Sequence, residues 1–232
     1  MSSWALRLAR VRTADARLRR PSRRRYRVVA SRAARLGPAD GLVVVAGLTG
    51  AGKTELLSEL ASAGEQVLDL ERLAVHRGSA FGAIGLGPQP SHAAFERTVR
   101  SELAAADPAR RLWVEDEGPF IGRVGVPHEL IARMETAPYI ELYAPFEARV
   151  ARLVRSYGGA PTAELEAAIA RSVTRLGADT ADAAVAHLRS GDLAAAVRVV
   201  LPAYDAAYQH RMRRVRGPRV GALAFSQPFA PP

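Results

Sequence analysis

Short apolar runs alternate with amphipathic segments over the first two thirds of the chain. Four of these runs predict buried or half-buried strands: Leu42–Ala46, Gln66–Leu70, Leu112–Val114 and Tyr139–Tyr143. Apolar residues spaced by four predict a helix over Ser91–Asp107, and a second helix is predicted over His128–Thr136. Strands that alternate with helices in this way are typical of a mostly parallel sheet covered by helices on both faces.

The pattern changes to helices alone after Thr162. Leu165 and Ile169 recur at helical spacing before Gly177, and Asp192 is a suitable N-cap for a last helix. We therefore predict a three-layer α/β sandwich with a helical C-terminal extension. The predicted units are a basic arm or linker (1–38), an α/β core (39–160), a helical extension (161–214) and a disordered tail rich in proline (215–232).

The positive charge is concentrated at the N-terminus. The 232 residues have a net charge of +10, and residues 1–38 contain twelve arginines and one acid, so the rest of the chain is close to neutral. A basic arm of this kind attracts polyanions such as RNA, although a solvated basic leader without any partner explains the charge equally well.

Composition also excludes several classes of protein. The chain has no cysteine, which removes disulfides, thiolate metal sites and cysteine catalysis from these 232 residues. No apolar run approaches the ~20 residues that span a bilayer. The N-terminus lacks the apolar core of a signal peptide, so we expect a cytoplasmic protein with no membrane attachment.

The stretch from Gly47 to Thr54 carries the clearest chemical signal. Its sequence GLTGAGKT fits G-x-x-x-x-G-K-[ST] and lies between a predicted strand and a helical segment, which predicts a phosphate-binding P-loop and a P-loop NTPase-like fold. Lys53 is the only lysine in the chain, which indicates a position where arginine cannot replace a compact, flexible ammonium group. The predicted phosphate-binding residues are Gly47, Thr49, Gly50, Ala51, Gly52, Lys53 and Thr54.

Acidic residues follow two predicted strands at the same edge of the sheet. Residues 115–117 are Glu-Asp-Glu and come directly after the third strand, where an acid near a P-loop holds magnesium. The predicted Mg²⁺ ligands are Thr54 and Asp116. Asp69 and Glu71 end the second strand, at the edge where ligands of open α/β sheets bind, and are predicted to bind substrate.

Several segments resemble, in order, the P-loop domain of the tRNA 2-selenouridine synthase family. They are GLTGAGKTELL, VLDLERLAVHRGSAFG, QPSHAAFE, LWVEDE and APFEARVARLV, and the later HLRSGDLAAAVRVVLPAYDAAY is similar to the helical region of that family. The likeness covers roughly Arg25 to Arg211, and the segment from Asp69 to Gly82 is its most specific part.

The resemblance implies a transferase that acts on the wobble 2-thiouridine of tRNA. In that family a geranyl group from geranyl diphosphate is attached to the sulfur and then replaced by selenium from selenophosphate. The P-loop is thereby implied to hold a diphosphate, or a nucleoside triphosphate, with Mg²⁺. Implied substrate-site residues are His76, Arg77, Gly78 and Ser79, and predicted catalytic residues are Lys53, Arg77, Glu115 and Glu117.

This chain departs from the family pattern at three places. The N-terminal rhodanese domain and its catalytic cysteine are absent, so selenation is expected to need a separate rhodanese-domain protein. Gly118-Pro119 stands where the family tends to have a serine and a basic residue, and Ala203 replaces the first residue of a usual Tyr-Tyr-Asp. A split enzyme, a truncated gene product and a repurposed descendant are all open interpretations.

Two functions of other classes are consistent with the sequence. The first is an ATP-dependent small-molecule kinase, with Asp69 or Glu71 as the base and three arginines spaced by three, Arg149, Arg152 and Arg155, as a lid. The second is a catalytically silent RNA-binding P-loop subunit, in which the basic arm alone carries the affinity.

Overall fold

The computed structural model describes residues 26–31, 41–213 and 215–225. The strands in this part are β1 (Tyr26–Ser31), β2 (Leu42–Gly47), β3 (Gln66–Leu68), β4 (Leu112–Glu115), β5 (Phe120–Ile121), β6 (Val124–Gly125), β7 (Tyr139–Tyr143) and β8 (Arg219–Phe225). Six of them form one sheet of order β1-β8-β7-β2-β4-β3, in which β8 to β3 are parallel and β1 is antiparallel to β8. β5 and β6 form a separate hairpin.

The helices cover both faces of this sheet. They are α1 (Lys53–Ser62), α2 (Leu70–Ala74), α3 (His92–Ala105), α4 (His128–Thr136), α5 (Phe146–Tyr157), α6 (Thr162–Arg171), α7 (Val173–Leu176), α8 (Ala178–Arg189) and α9 (Leu193–Met212). Val43 and Val45 of β2 belong to the same core cluster as Leu56 of α1, whereas Leu42 and Val44 belong to the cluster that contains α3 and α4. Alternate residues of a strand point to opposite faces of its sheet, so the two clusters are the two helical layers that cover the sheet. This arrangement confirms the predicted three-layer α/β fold.

The helices from α6 onward form an extension with its own apolar core. Leu165, Ile169 and Val200 are buried there against Tyr157 at the end of α5 and against Ile84 of the loop after α2. In the described part of the chain, no helix is both long enough and apolar enough to cross a membrane.

The second strand is shorter than its sequence predicts. β3 ends at Leu68 because the side chain of Asp69 accepts a hydrogen bond from the backbone N–H of Arg72, at 2.8 Å, and caps α2. Glu71 therefore lies in the first turn of a short helix and not at the end of a strand.

The prediction of a disordered tail over residues 215–232 is wrong for Arg219–Phe225, which form β8. This strand pairs in parallel with β7, and Ala222 and Leu223 are buried. The segment before β8 lies beside the C-terminal end of α4, where the N–H groups of Arg216 and Gly217 donate to the carbonyl of Glu135. A short strand between prolines has little periodicity of its own, so its pairing with a distant strand could not be predicted locally.

The predicted basic arm lies mostly outside the described residues. Tyr26–Ser31 are the exception, because they form β1 and pair with β8 at the edge of the sheet.

Candidate functional site

The P-loop connects β2 to α1 in a conformation that requires glycine. A β-carbon on Gly47 would lie 2.8 Å from the carbonyl oxygen of Leu142, and Gly52 has a φ of +98°. Gly52 is also the N-cap of α1 and offers no side chain to its first-turn N–H groups. These N–H groups, together with the helix dipole, are suited to bind an anion at the carboxyl edge of the sheet.

The side chain of Lys53 is held against the first residue of the P-loop. Its Nζ donates to the carbonyl of Gly47 at 2.8 Å and lies 5.8 Å from the ring centroid of Tyr208. The N–H of Gly47 in turn donates to the hydroxyl of Tyr208 at 2.6 Å. The C-terminal part of α9 is therefore bonded directly to the first residue of the P-loop.

Arg149 supports the loop from the side of α5. Its guanidinium donates to both carboxylate oxygens of Asp205, at 2.7 Å each, and to the carbonyl of Thr49 at 3.1 Å. The side chain of Arg149 is only 4% exposed. This arginine therefore ties the P-loop to α9.

Arg152 makes a second support of the same kind. It donates to the carbonyl of Gly50 at 2.6 Å and to Glu55 of α1 at 2.8 Å. Because Arg149 and Arg152 are buried against P-loop carbonyls, they are not the mobile lid of the kinase hypothesis. Arg155, the third arginine of that series, is exposed and does not line the cleft.

A cleft of about 610 Å³ opens in front of the P-loop. One wall comes from the loop and α1, and a second comes from the segment after α2, which contributes Arg77, Gly78 and Ser79. Tyr204, Tyr208 and Arg211 of α9 complete the cleft. The sequence-predicted residues Lys53, Thr54, Glu71, Arg77, Gly78, Ser79, Asp116 and Glu117 are thus brought together.

Two glutamates that line the cleft, Glu71 and Glu117, lie near Lys53, and the buried Glu115, predicted to be catalytic, lies behind Glu71 and does not line the cleft. Burial and the neighbouring Glu117 raise the pKa of Glu71 to about 7. Burial and Asp69 raise the pKa of Glu115 to about 9, and its Oε1 accepts from the N–H of Glu71 at 2.8 Å. Burial also raises the pKa of Glu117. Burial and mutual repulsion thus disfavour simultaneous ionisation of these carboxyls, and a cation bound beside them would favour it.

The residues beside Thr54 are suited to magnesium. The hydroxyl of Thr54 donates to Glu71 at 3.2 Å, and a β-carbon on Gly78 would lie 2.6 Å from an oxygen of Glu71 and 2.9 Å from one of Glu117. One hydroxyl and two convergent carboxylates, completed by water and phosphate oxygens, match the preferences of Mg²⁺. The described residues contain no group of three or more His, Cys, Asp or Glu side chains arranged to hold a metal.

Asp116 is placed differently from its predicted role as a metal ligand. Its carboxylate accepts from Arg211 at 2.9 Å, and its backbone N–H donates to Val45. The carboxylate in contact with Thr54 is that of Glu71. We therefore reassign the proposed second magnesium ligand from Asp116 to Glu71.

Two of the predicted substrate-binding residues do not line the cleft. Asp69 caps α2, and His76 is only 6% exposed. The ring of His76 lies so close to Gly82 that a β-carbon there would approach it to 2.6 Å. Burial lowers the pKa of His76, and within the described chain its Nδ1 has no hydrogen-bond partner. His76 is a core residue of this loop, whereas Arg77, Gly78 and Ser79 face the cleft.

Sequence reasoning did not assign the residues of α9 that complete the site. Tyr204, Tyr208 and Arg211 follow one another at spacings of four and three, which places them on one face of a helix. This spacing alone could have indicated that the three side chains share one face of a helix. Their role depends on the docking of α9 against the P-loop, which no local pattern indicates.

A small apolar cavity of about 60 Å³ lies next to the cleft. Leu165, Ile169, Val197 and Val200 are among the nine described residues of the helical extension that line it. The cavity and the cleft share wall residues: Thr49, Ser79, Leu153, Tyr157 and Tyr204. The apolar cavity therefore adjoins the cleft in front of the P-loop.

A phosphate-binding loop at the carboxyl edge of a parallel sheet, between helical layers, defines a P-loop NTPase-like α/β domain. The family model described as the tRNA 2-selenouridine synthase AAA domain matches residues 40–215. The chain therefore belongs to the tRNA 2-selenouridine synthase family, a family of tRNA-modifying proteins.

Individual relatives agree with this assignment. The tRNA 2-selenouridine synthase of Cupriavidus pinatubonensis is 44% identical over 117 residues, which cover 50% of this chain and 31% of that protein. Those of Shewanella loihica and Pseudomonas syringae pv. syringae are 38% and 39% identical over 118 residues, with 30% and 31% of their lengths covered. The matched part thus spans about a third of these relatives.

The buried glutamates predict that stability falls as the pH rises. Both pKa values lie above the ordinary 4.5, so the protonated carboxyls stabilise the fold fully below about pH 4.5. This contribution is lost as the pH rises through about 7 for Glu71 and about 9 for Glu115. Urea unfolding of the unliganded protein should show a free energy of unfolding that declines over this window.

Glu115→Gln tests the assignment of that decline. A neutral amide keeps the acceptor for the N–H of Glu71 and cannot ionise, so the loss of stability between about pH 7 and 9 should become smaller. At pH 5 the carboxyl is already protonated, and this condition serves as the internal control. An unchanged slope above pH 7 in Glu115→Gln would contradict the prediction.

Proposed function

We propose that this chain is a transferase module of the 2-selenouridine pathway, which moves a geranyl group from geranyl diphosphate to the sulfur of the wobble 2-thiouridine of tRNA. The observation that carries the proposal is the apolar cavity beside the phosphate cleft. A prenyl diphosphate has a charged head for the P-loop and an apolar tail for such a cavity. At about 60 Å³ the cavity suits the end of the tail, with the rest lying in the larger cleft.

In this reaction the diphosphate is the leaving group. The sulfur attacks the first carbon of the geranyl chain, a carbon–sulfur bond forms, and the carbon–oxygen bond breaks with its electron pair left on the diphosphate. Lys53 and the N–H groups at the start of α1 stabilise the charge that develops there. Thr54 and Glu71 would hold Mg²⁺, which supplies further neutralisation of the leaving group when bound.

Alkylation of a thiocarbonyl sulfur also releases the proton of the neighbouring ring nitrogen. Glu117 lines the cleft close to Lys53, and its pKa is raised by burial. A carboxylate with a raised pKa is a better proton acceptor near neutral pH. We assign this role to Glu117, and to Arg77, on the wall formed by the segment after α2, the role of a phosphate contact.

Selenium transfer is a separate step in this proposal. It needs a thiolate carrier, and the 232 residues contain no cysteine. We propose that a rhodanese domain supplies that thiolate and that selenophosphate is used only in its presence. Because the proposed substrate is tRNA, the proposed location is the cytoplasm.

The kinase hypothesis finds less support in the described contacts. Asp69, one of its proposed bases, accepts the capping hydrogen bond of α2. Arg149 and Arg152, its proposed lid, bind backbone carbonyls of the P-loop. Glu71, the alternative base, lines the cleft, but the other proposed base and two of the three lid arginines are engaged in holding the fold.

A titration tests the proposed ligand. Geranyl diphosphate should bind at least as tightly as ATP in isothermal calorimetry with Mg²⁺ present, because it adds apolar contacts to the same phosphate contacts. Inorganic pyrophosphate should bind more weakly than geranyl diphosphate. Tighter binding of ATP would favour the kinase, and binding of none of the three would favour a silent RNA-binding subunit.

A variant of the apolar cavity tests whether the cavity binds the geranyl tail and not the diphosphate head. Val197 is partly exposed at the wall of the apolar cavity, so Val197→Phe should narrow the cavity without disturbing the P-loop. Affinity for geranyl diphosphate should fall about tenfold, while that for pyrophosphate is unchanged. An equal effect on both ligands would show that the cavity does not hold the tail.

A further inference from the structure

Phe120 is the most exposed large hydrophobic side chain among the described residues. It is 67% exposed, whereas the next, Tyr143, is 43% exposed. Single exposed apolar residues are common on protein surfaces. Phe120 differs from such residues in its position, because it lies three residues after Glu117 and lines the P-loop cleft.

The hairpin that carries Phe120 is firmly held. Ile121 and Val124 are buried in the core beneath it. The N–H of Gly125 donates to Nδ1 of His92 at 3.0 Å, and the N–H of Val126 donates to the carbonyl of Pro119 at 2.9 Å. The exposed ring is thus the outward face of an ordered hairpin at the edge of the cleft, and not part of a loosely packed loop.

Four arginines of the described chain line the same cleft, of which Arg152 and Arg211 pair with carboxylates and the other two contact neutral groups. Arg77 donates to the carbonyl of Ile84 and lies 5.6 Å from the ring centroid of Tyr157. Arg175 lies 5.1 Å from the ring centroid of Tyr204. These two cations keep their charge available to a bound polyanion. Phe120 does not line the apolar cavity that is proposed to hold the end of the prenyl tail, and a single-stranded nucleic acid uses both arginines and exposed aromatic rings.

We propose that Phe120 stacks on a nucleobase of the RNA substrate and thereby holds the target loop over the P-loop cleft. This inference rests on the proposed function, since it takes tRNA as the substrate. Sequence-specific recognition of RNA uses unpaired loop bases that stack on aromatic side chains. A ring on a rigid hairpin loses little conformational freedom when a base stacks on it.

The experiment uses the full chain and a synthetic anticodon stem-loop RNA with 2-thiouridine at the wobble position. Phe120→Ala should weaken binding of this RNA by roughly five- to a hundredfold, the usual range for loss of one base–aromatic stack. Phe120→Trp should retain binding, and its added indole fluorescence, relative to the wild-type protein, should be quenched by the RNA. Leu86→Ala is the matched control, because Leu86 is 37% exposed and does not line the cleft.

Each outcome decides the inference. Loss of RNA binding in Phe120→Ala, with pyrophosphate binding and thermal stability unchanged, would support it. Normal RNA binding by Phe120→Ala would overturn it and leave the proposed function standing. That result combined with lost binding of a rhodanese-domain protein would assign the ring to a protein contact instead. Failure of the wild-type chain to bind the RNA would overturn the proposed function itself, and this inference with it.

Discussion

Replacement of Lys53 by alanine is expected to lower the affinity for pyrophosphate and geranyl diphosphate about a hundredfold. Lys53 is the cation at the entrance of the P-loop, and its Nζ lies 2.8 Å from the carbonyl of Gly47. Its loss removes a charge-assisted hydrogen bond and leaves the ligand close to the carboxylates of Glu71 and Glu117. Calorimetric titration with each ligand measures the effect.

Two further variants make this result specific. Lys53→Arg should bind nearly as poorly as Lys53→Ala, because a planar guanidinium is too wide for the position of a flexible ammonium group. Arg133→Ala removes one positive charge from an exposed position on α4 and should leave affinity unchanged. If Lys53→Ala bound both ligands like the wild-type protein, the P-loop would not be the phosphate site.

Arg149→Met is expected to destabilise the protein by about 2–4 kcal/mol. The variant removes both hydrogen bonds to Asp205 and the one to Thr49, and it leaves a carboxylate that is only 17% exposed without its counter-ion. The figure is somewhat below that for fully buried pairs because Asp205 keeps some contact with water. Urea unfolding monitored by circular dichroism measures the loss.

A comparison with an exposed ion pair tests whether burial causes the loss of stability in Arg149→Met. Arg198 binds Glu147 at 2.9 Å, but both side chains are largely exposed, so Arg198→Met should change stability by less than about 1 kcal/mol. Adding Asp205→Asn to Arg149→Met should recover part of the lost stability, because the uncompensated charge is removed. Equal effects of Arg149→Met and Arg198→Met would contradict this account.

The position of β2 and that of the P-loop follow from local patterns. The apolar run that became β2 and the G-x-x-x-x-G-K-[ST] motif adjoin in the sequence, so one stretch of chain determines both the strand and the anion site behind it. The apolar spacing within Ser91–Asp107 likewise determined the buried face of α3, with Phe95 and Val99 in the core. In each case the residues that act together are neighbours along the chain.

Other features depend on residues far apart in the sequence. The N–H of Gly47 meets the hydroxyl of Tyr208 across 161 positions, and Arg149 meets the carbonyl of Thr49 across 100. An arginine on a helix has the same local pattern whether it faces a ligand or a buried carbonyl, so the sequence suggested a lid where the structure has a support. Asp116 was assigned to magnesium for the same reason, since its partner Arg211 is 95 positions away.

The sequence by itself determined the class of fold, the position of the P-loop and the place of the single lysine in it. These features rest on short-range periodicity and on one contiguous motif. Only the tertiary structure decided that β8 pairs with β7, that α9 closes the cleft with Tyr204 and Tyr208, and that an apolar cavity adjoins the P-loop cleft. The physical reason is that strand pairing, helix docking and cavity shape are set by contacts between segments, and each segment's own pattern is compatible with several partners.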